Sequence, residues 1–484
     1  MVPSVQVAAL GALKTLAVQT ERSGDELTAP GTLAKVVSSL SHDNRRVIMS
    51  GCAALEALAA KKEAHAAAIV KSGALVPMRA LLNAFDVDVK ESAVRAMTAV
   101  ALAGEAHAEA LMDDETLESL VVNANAGDSP LALRTAIARL FDACCAYGAV
   151  PAARVIESGA AHSVAALARD AAAAAVRGGG APPRSRAVAF ACLAQMARHA
   201  DDLAARVVEA GAVPDALAAL IDPQDVPARE AASAMAREVV CKTPELAEAV
   251  AADGGVAALV QNLGLERGEK RAILATQSLG YIADFRPSFA VACVSVDQGR
   301  CLVEAMEHAV DDEAAVAAAW AMGCVARHGP ESAAPLARSA AMRVLLDAYV
   351  NPVASEALVE RSKASLKGLI KNCGELGLIE PLVSEKTPPV ILRHVLGEFG
   401  AKLGADVNAK RAFVTSGGLM RLQGVLKAHD KGVEEAAKAV EHAKKAGKPP
   451  PPLYEGLLDE RALKDAKIVN SNFPPEVVSY YLYC

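Results

Sequence analysis

The chain repeats itself at a fixed interval, and no other feature limits its architecture as strongly. Aligned by their last turns, six helical stretches place Ala99, Asp142, Gln195, Glu238, Tyr281 and Cys324 at equivalent positions. The successive spacings are 43, 53, 43, 43 and 43 residues, and the long step contains an Ala/Gly/Pro tract over 171–186. Periods of about 40–47 residues belong to stacked helical arrays, in which a unit buries its apolar face only against its neighbours. Function in such an array resides on long surfaces rather than in an enclosed pocket.

The unit beginning at Thr243 shows how one repeat is written. Thr243 is a good N-cap, Pro244 suits the first helical position, and Glu245 complements the positive helix end. A short first helix over 246–252 stops at Asp253-Gly254-Gly255, where glycine permits a sharp turn that a residue with a Cβ would resist. A second helix over 256–263 and a polar turn over 266–270 lead into a long third helix ending near Ala283. The same turn recurs around Gly73, Gly159, Gly211 and Gly417, and Pro30-Gly31 stands one period before Gly73. Three helices per repeat with this turn predict an all-α, right-handed superhelical armadillo-repeat solenoid of about nine or ten three-helix repeats. The expected layout is a capping helix over 1–28, the solenoid over 29–429 with a loop insertion at 171–186, a charged helix and Pro-rich spacer over 430–452, and a C-terminal helix with an aromatic tail over 453–484.

Composition narrows the function classes. Of 484 residues, 53% are hydrophobic but only 3% aromatic, and alanine dominates. Alanine favours helix yet buries little, so each repeat has a thin driving force. The formal charge is −7 with no basic domain, which argues against nucleic acid as a partner. Ten cysteines without a CxxC pair read as reduced core residues, and no HxxxH pair suggests a metal. No window is apolar and uncharged enough to cross a membrane. The stretch over 1–20, with Lys14 inside its apolar run, reads as a first helix rather than a signal peptide. Gly178–Gly180 lacks the Lys-Ser/Thr of a phosphate loop, so no enzyme and no cofactor are expected. Basic pairs ending third helices, Arg198-His199 and Arg327-His328, read as cations at negative helix ends rather than as an anion-binding row.

Nuclear-import adaptors read extended peptides through a ladder of Asn on their third helices, with Trp residues nearby. The six equivalent positions here carry no Asn, and the single tryptophan, Trp320, lies in an Ala-rich run as an expected inter-repeat core residue.

Several stretches go further than repeat grammar. Thr243-Pro-Glu-Leu-Ala, Leu279-Gly-Tyr-Ile-Ala283, Ala317-Ala-Ala-Trp-Ala321, Phe413-Val-Thr-Ser-Gly-Gly-Leu419, Pro388-Pro-Val-Ile-Leu-Arg-His-Val395 and Phe473-Pro-Pro-Glu-Val-Val-Ser-Tyr-Tyr481 resemble one family. It is the armadillo protein of the ciliary central apparatus, called sperm-associated antigen six in animals, with an algal counterpart known from a paralysed-flagella locus. The resemblance is close over 199–427, returns at the tail, and is only repeat-level before 171. It implies a non-enzymatic scaffold of the motile cilium or flagellum, lining one central-pair microtubule in the axoneme and setting the spacing of projections. Implied partners are other central-apparatus proteins including armadillo paralogues, the microtubule wall, and further copies of itself. No counterpart of the family's charged N-terminal helix is present, two tracts are extra, and the chain ends at Tyr483-Cys484 without the family's Pro-Gly-Tyr extension. These departures read as a divergent paralogue.

Candidate partner contacts are Lys438, Lys444, Lys445 and Lys448, a locally basic segment interleaved with Glu434, Glu435 and Glu441, for which a solvated helix face is the competing reading. The tail aromatics Phe473, Tyr480 and Tyr481 are candidate anchors, unless the tail docks back on the last repeat.

Overall fold

The computed structural model describes residues 2–19, 25–178, 184–252, 254–445 and 457–483, and every regular element among them is helical. Two compact units are present, Met1–Asn262 and Leu263–Cys484. In the first, the third helices of successive repeats are α1 (Pro3–Gln19), α2 (Arg45–Ala59), α3 (Val87–Leu102), α4 (Leu131–Cys145), α5 (Ser185–Arg198) and α6 (Val226–Val240), each packed on the one before. In the second they are α7 (Ala272–Phe285), α8 (Asp312–Ala326), α9 (Glu356–Asn372), α10 (Pro389–Lys402) and α11 (Glu460–Asn470), stacked likewise. This is an all-α armadillo solenoid.

Local chemistry explains the punctuation. Third helices start where an Asn, Asp or Ser side chain accepts backbone N–H groups: Asn44, Asp86, Asp225, Asp311, Ser355 and Asp459 do so for α2, α3, α6, α8, α9 and α11. Each such cap contributes about 1 kcal/mol. The turn between first and second helices is left-handed at Gly73, Gly159, Gly211, Gly254 and Gly417. Ala340 occupies the same turn in its repeat at φ 69°, without the freedom of a glycine.

Polar contacts between repeats span about one period. Arg45 pairs with Asp86 at 2.8 Å, Arg95 with Glu56 at 3.0 Å, Arg134 with Asp170 at 2.7 Å and Arg186 with Asp222 at 2.7 Å. In the second unit Lys270 pairs with Asp311 at 3.3 Å, and Arg338 with Glu375. Exposed pairs contribute about 0–1 kcal/mol each, so their main effect is to fix register. A second set caps neighbours. Lys61 donates to Val18 O at 2.6 Å, Tyr147 to Ala101 O at 2.9 Å, His199 Nε2 to Cys145 O at 2.8 Å, Lys242 to Arg198 O at 2.6 Å and Asn372 to Ala326 O at 3.0 Å. Each donor follows or ends a third helix and satisfies a last-turn carbonyl of the preceding one. His199, read from the sequence as a cation at its own helix end, therefore serves the neighbouring helix end. Asparagine serves on second helices as well: Asn123 donates to Leu82 O at 3.0 Å and Asn262 to Leu220 O at 2.8 Å.

Both extra tracts enter at the same joint, between a second and a third helix. The second helix Ala160–Val176 has 17 residues where its successor Ala212–Leu220 has 9, so the tract expected as a loop from 171 begins as helix. An alanine run with the best helix propensity extends the preceding element; residues 179–183 lie outside those described. The expected boundary at 429/430 falls inside one helix, Gly418–Lys445, of 28 residues. Its repeat closes beyond the tract, where α11 stacks on α10 and Gln423 Nε2 donates to Asn470 Oδ1 at 2.8 Å. The Pro-rich spacer after Lys445 lies outside the described residues. The tail forms α12 (Pro475–Tyr483), packed on the 418–445 helix.

Candidate protein-binding groove

Third helices of adjacent repeats leave grooves between them, and one in the second unit has an unusual lining. On α9, Lys363, Lys367 and Lys371 are spaced four apart and therefore form one ridge along the helix. Lys367, Lys371 and Gly368 from α9, Arg393, His394 and Gly397 from α10, and Arg461 and Asp465 from α11 surround about 500 Å³. Arg393 is held by Asp459 at 3.2 Å and Glu398 by Lys402 at 2.5 Å. Burial, then the charges of Lys363 and Arg393, hold the Lys367 ammonium below the ordinary lysine range. Burial first, then Lys367, Arg393 and Arg461, push His394 below the usual histidine value. His394 Nε2 has no hydrogen-bond partner.

The first unit has a groove of similar size, about 520 Å³, over α2, α3 and α4. Its floor is alanine, including Ala99, Ala103, Ala132 and Ala136, and its Arg95 is already paired with Glu56. Asp142, another of the equivalent third-helix positions, is half-buried, and burial raises its carboxyl above the usual value. Glu238 is buried and answered by Arg237 at 2.7 Å and Arg198 at 3.4 Å.

The residues singled out by sequence are distributed over separate places. Lys438 pairs with Glu434 at 2.6 Å and Lys445 with Glu441 at 2.8 Å, both one turn away on the same exposed helix; Lys444 is exposed there as well. Lys448 lies outside the described residues. Phe473 stacks on Phe413 at 6.1 Å, and Phe413 meets Phe399 at 4.8 Å, so this tail ring packs back on the solenoid. Tyr480 and Tyr481 contact each other edge-to-face at 5.1 Å, and Tyr480 is 65% exposed. Trp320 on α8 is half-buried against α7, 4.8 Å from the Tyr281 ring and tight over Gly280, where any Cβ would collide with it. Sequence reading passed over the α9–α11 groove; the four-residue lysine spacing was its visible signal, but Arg393 and Arg461 join it only through stacking.

The described residues contain no cluster of three or more His, Cys, Asp or Glu side chains able to hold a metal, and no helix long and apolar enough to cross a membrane. Burial pushes the thiols of Cys52, Cys144, Cys293 and Cys324 up to about 12, which leaves them poor nucleophiles.

No family model matches the chain. Sperm-associated antigen 6 of mouse (Mus musculus) is 42% identical over 123 residues, which are 25% of this chain and 23% of that protein. An engineered protein solved by the Northeast Structural Genomics Consortium superposes over 91% of this chain and 98% of its own, with TM-score 0.63 at 19% identity, a likeness of fold alone. Over those 123 residues the chain is similar to sperm-associated antigen 6, and its fold is that of an armadillo-repeat solenoid. The human (Homo sapiens) sperm-associated antigen 6 gives the same 42% over 123 residues and the same coverage. The similarity to sperm-associated antigen 6 thus spans about a quarter of either protein.

Proposed function

We propose that this chain is a non-enzymatic structural scaffold of the motile-cilium axoneme, lining a central-pair microtubule and organising projections through protein–protein contacts. The observation that carries the reading is the 42% identity to sperm-associated antigen 6, joined to the tail and Phe-Val-Thr-Ser-Gly-Gly motifs that resemble the ciliary central-apparatus family. Repeats stacked in register suit the role, because period-length ion pairs and neighbour caps fix the spacing of surface features along each unit. Its partners would be other central-apparatus proteins, armadillo paralogues among them, the microtubule wall and further copies of the chain. A second reading, a cytosolic armadillo adaptor that binds extended peptides, is favoured by one observation, the cation-lined groove over α9–α11.

Salt extraction of demembranated axonemes, followed by mass spectrometry in strains with and without the central pair, separates the two. The scaffold is expected in the insoluble fraction only when the central pair is present. Recovery in the soluble fraction irrespective of the central pair would overturn the scaffold reading in favour of the adaptor.

A further inference from the structure

Ion pairs reaching about one repeat away engage cations in both units, such as Arg45, Arg95, Lys270 and Arg338, yet Lys367, Lys371 and Arg461 of this one cleft have no ion pair among the described residues. Asp465 is the one carboxylate of the groove left without a basic partner there, since Glu398 is engaged by Lys402. The cleft thus sets three unpaired cations against one unpaired carboxylate and keeps a net positive lining.

The floor supplies a separate indication. Gly368 lies inside α9 and Gly397 inside α10, where glycine destabilises a helix by about 0.5–1 kcal/mol relative to alanine. A Cβ at Gly368 would meet no atom within 4 Å, and one at Gly397 only ordinary contact with Asp465 at 3.6 Å. Some helix-interior glycines are demanded by neighbours, Gly280 by Trp320 and Gly323 by Ser365, whereas Gly11 and Gly400 share the open surroundings of the groove pair. Packing does not require the two groove glycines. They keep the helix backbones bare and the cleft open to the close approach of another chain.

We propose that the groove over α9–α11 binds an extended, acidic segment of a partner protein, its carboxylates held by Lys367, Lys371 and Arg461. Such a ligand would relieve the mutual repulsion that adds to burial in depressing Lys367 and His394. Nucleic acid fits less well. No Phe, Tyr or Trp lines the cleft to stack on a base.

The experiment is fluorescence anisotropy of a labelled oligoglutamate peptide with the purified full-length chain, alongside an oligolysine peptide and a single-stranded oligonucleotide. Binding of oligoglutamate alone is expected, weakening as salt shortens the screening length below about 8–10 Å. The double variant Lys367→Gln/Lys371→Gln should weaken it about tenfold, as expected for losing charge-assisted contacts. Gly368→Leu should weaken it by filling the cleft, and Lys438→Gln/Lys444→Gln should leave it unchanged. Circular dichroism and thermal melting establish that each variant folds. Absence of oligoglutamate binding, binding indifferent to Lys367 and Lys371 in folded variants, or tighter binding of the oligonucleotide would each overturn the proposal. Because the assay needs only purified chain, its failure is distinct from failure of the axonemal reading.

Discussion

Two grooves of nearly equal size, about 520 Å³ over α2–α4 and about 500 Å³ over α9–α11, are built from the same repeat and furnished differently. The first has an alanine floor and an arginine already neutralised by Glu56. The second has glycines no neighbour needs and cations no carboxylate answers. Stacking asks only for small residues and matched charge, and in the first groove Arg95 and Arg139 are matched in number by Glu56 and Glu91. Whatever the second carries beyond it is free of the fold's requirements, and that surplus marks where a partner would act.

The largest test of this contrast sets one glycine against another. Gly280→Ala drives a methyl into the Trp320 ring and should destabilise the second unit by about 1–3 kcal/mol in urea unfolding. Gly368→Ala should do the reverse, stabilising by about 0.5–1 kcal/mol, because its methyl meets open space. A loss of stability at Gly368 would make it a packing glycine and dissolve the contrast. The charges give a smaller pair of effects. Arg95→Gln removes an exposed inter-repeat ion pair and should cost about 0–1 kcal/mol. Lys367→Gln removes a crowded cation and should be neutral or stabilising by the same melting assay.

The smallest effects concern pH, and the two faces differ in sign. His394 is depressed when folded, so the unfolded chain takes up its proton first; stability from this group is full above the ordinary value of 6.5 and is lost as pH falls below it. Asp142 is raised when folded, so its burial penalty applies above its folded pKa and stability recovers as pH falls through it toward 3.8. Stability–pH curves of His394→Gln and Asp142→Asn, each against the parent chain, should lose these opposite slopes. Parallel curves would mean that neither group is perturbed by its surroundings.

Much of the fold was legible because stacked repeats write local rules many times over. Thr243 caps its helix as the sequence suggests, accepting from Leu246 N at 3.3 Å, and the left-handed glycines stand where the turns were read. Ala340 escaped notice because its turn conformation is imposed by the array, not by its own residue type. The 418–445 helix was divided too early, since charge content changes at residue 429 while helix propensity does not. Contacts across repeats were the least visible. Nothing adjacent in sequence tells that Phe473 will stack on Phe413, or that Arg461 will stand beside Lys367. The lysines 438–445 drew attention by density alone, and i,i+4 glutamates neutralise two of them on their own helix.

Zero-length carbodiimide crosslinking of demembranated axonemes tests most directly where this protein engages its partners, since it joins only lysines and carboxylates in direct contact. The groove account predicts links from Lys367 and Lys371 to acidic segments of another protein. Links to partners from Lys438, Lys444 or Lys445, with Lys367 and Lys371 unlinked, would contradict it.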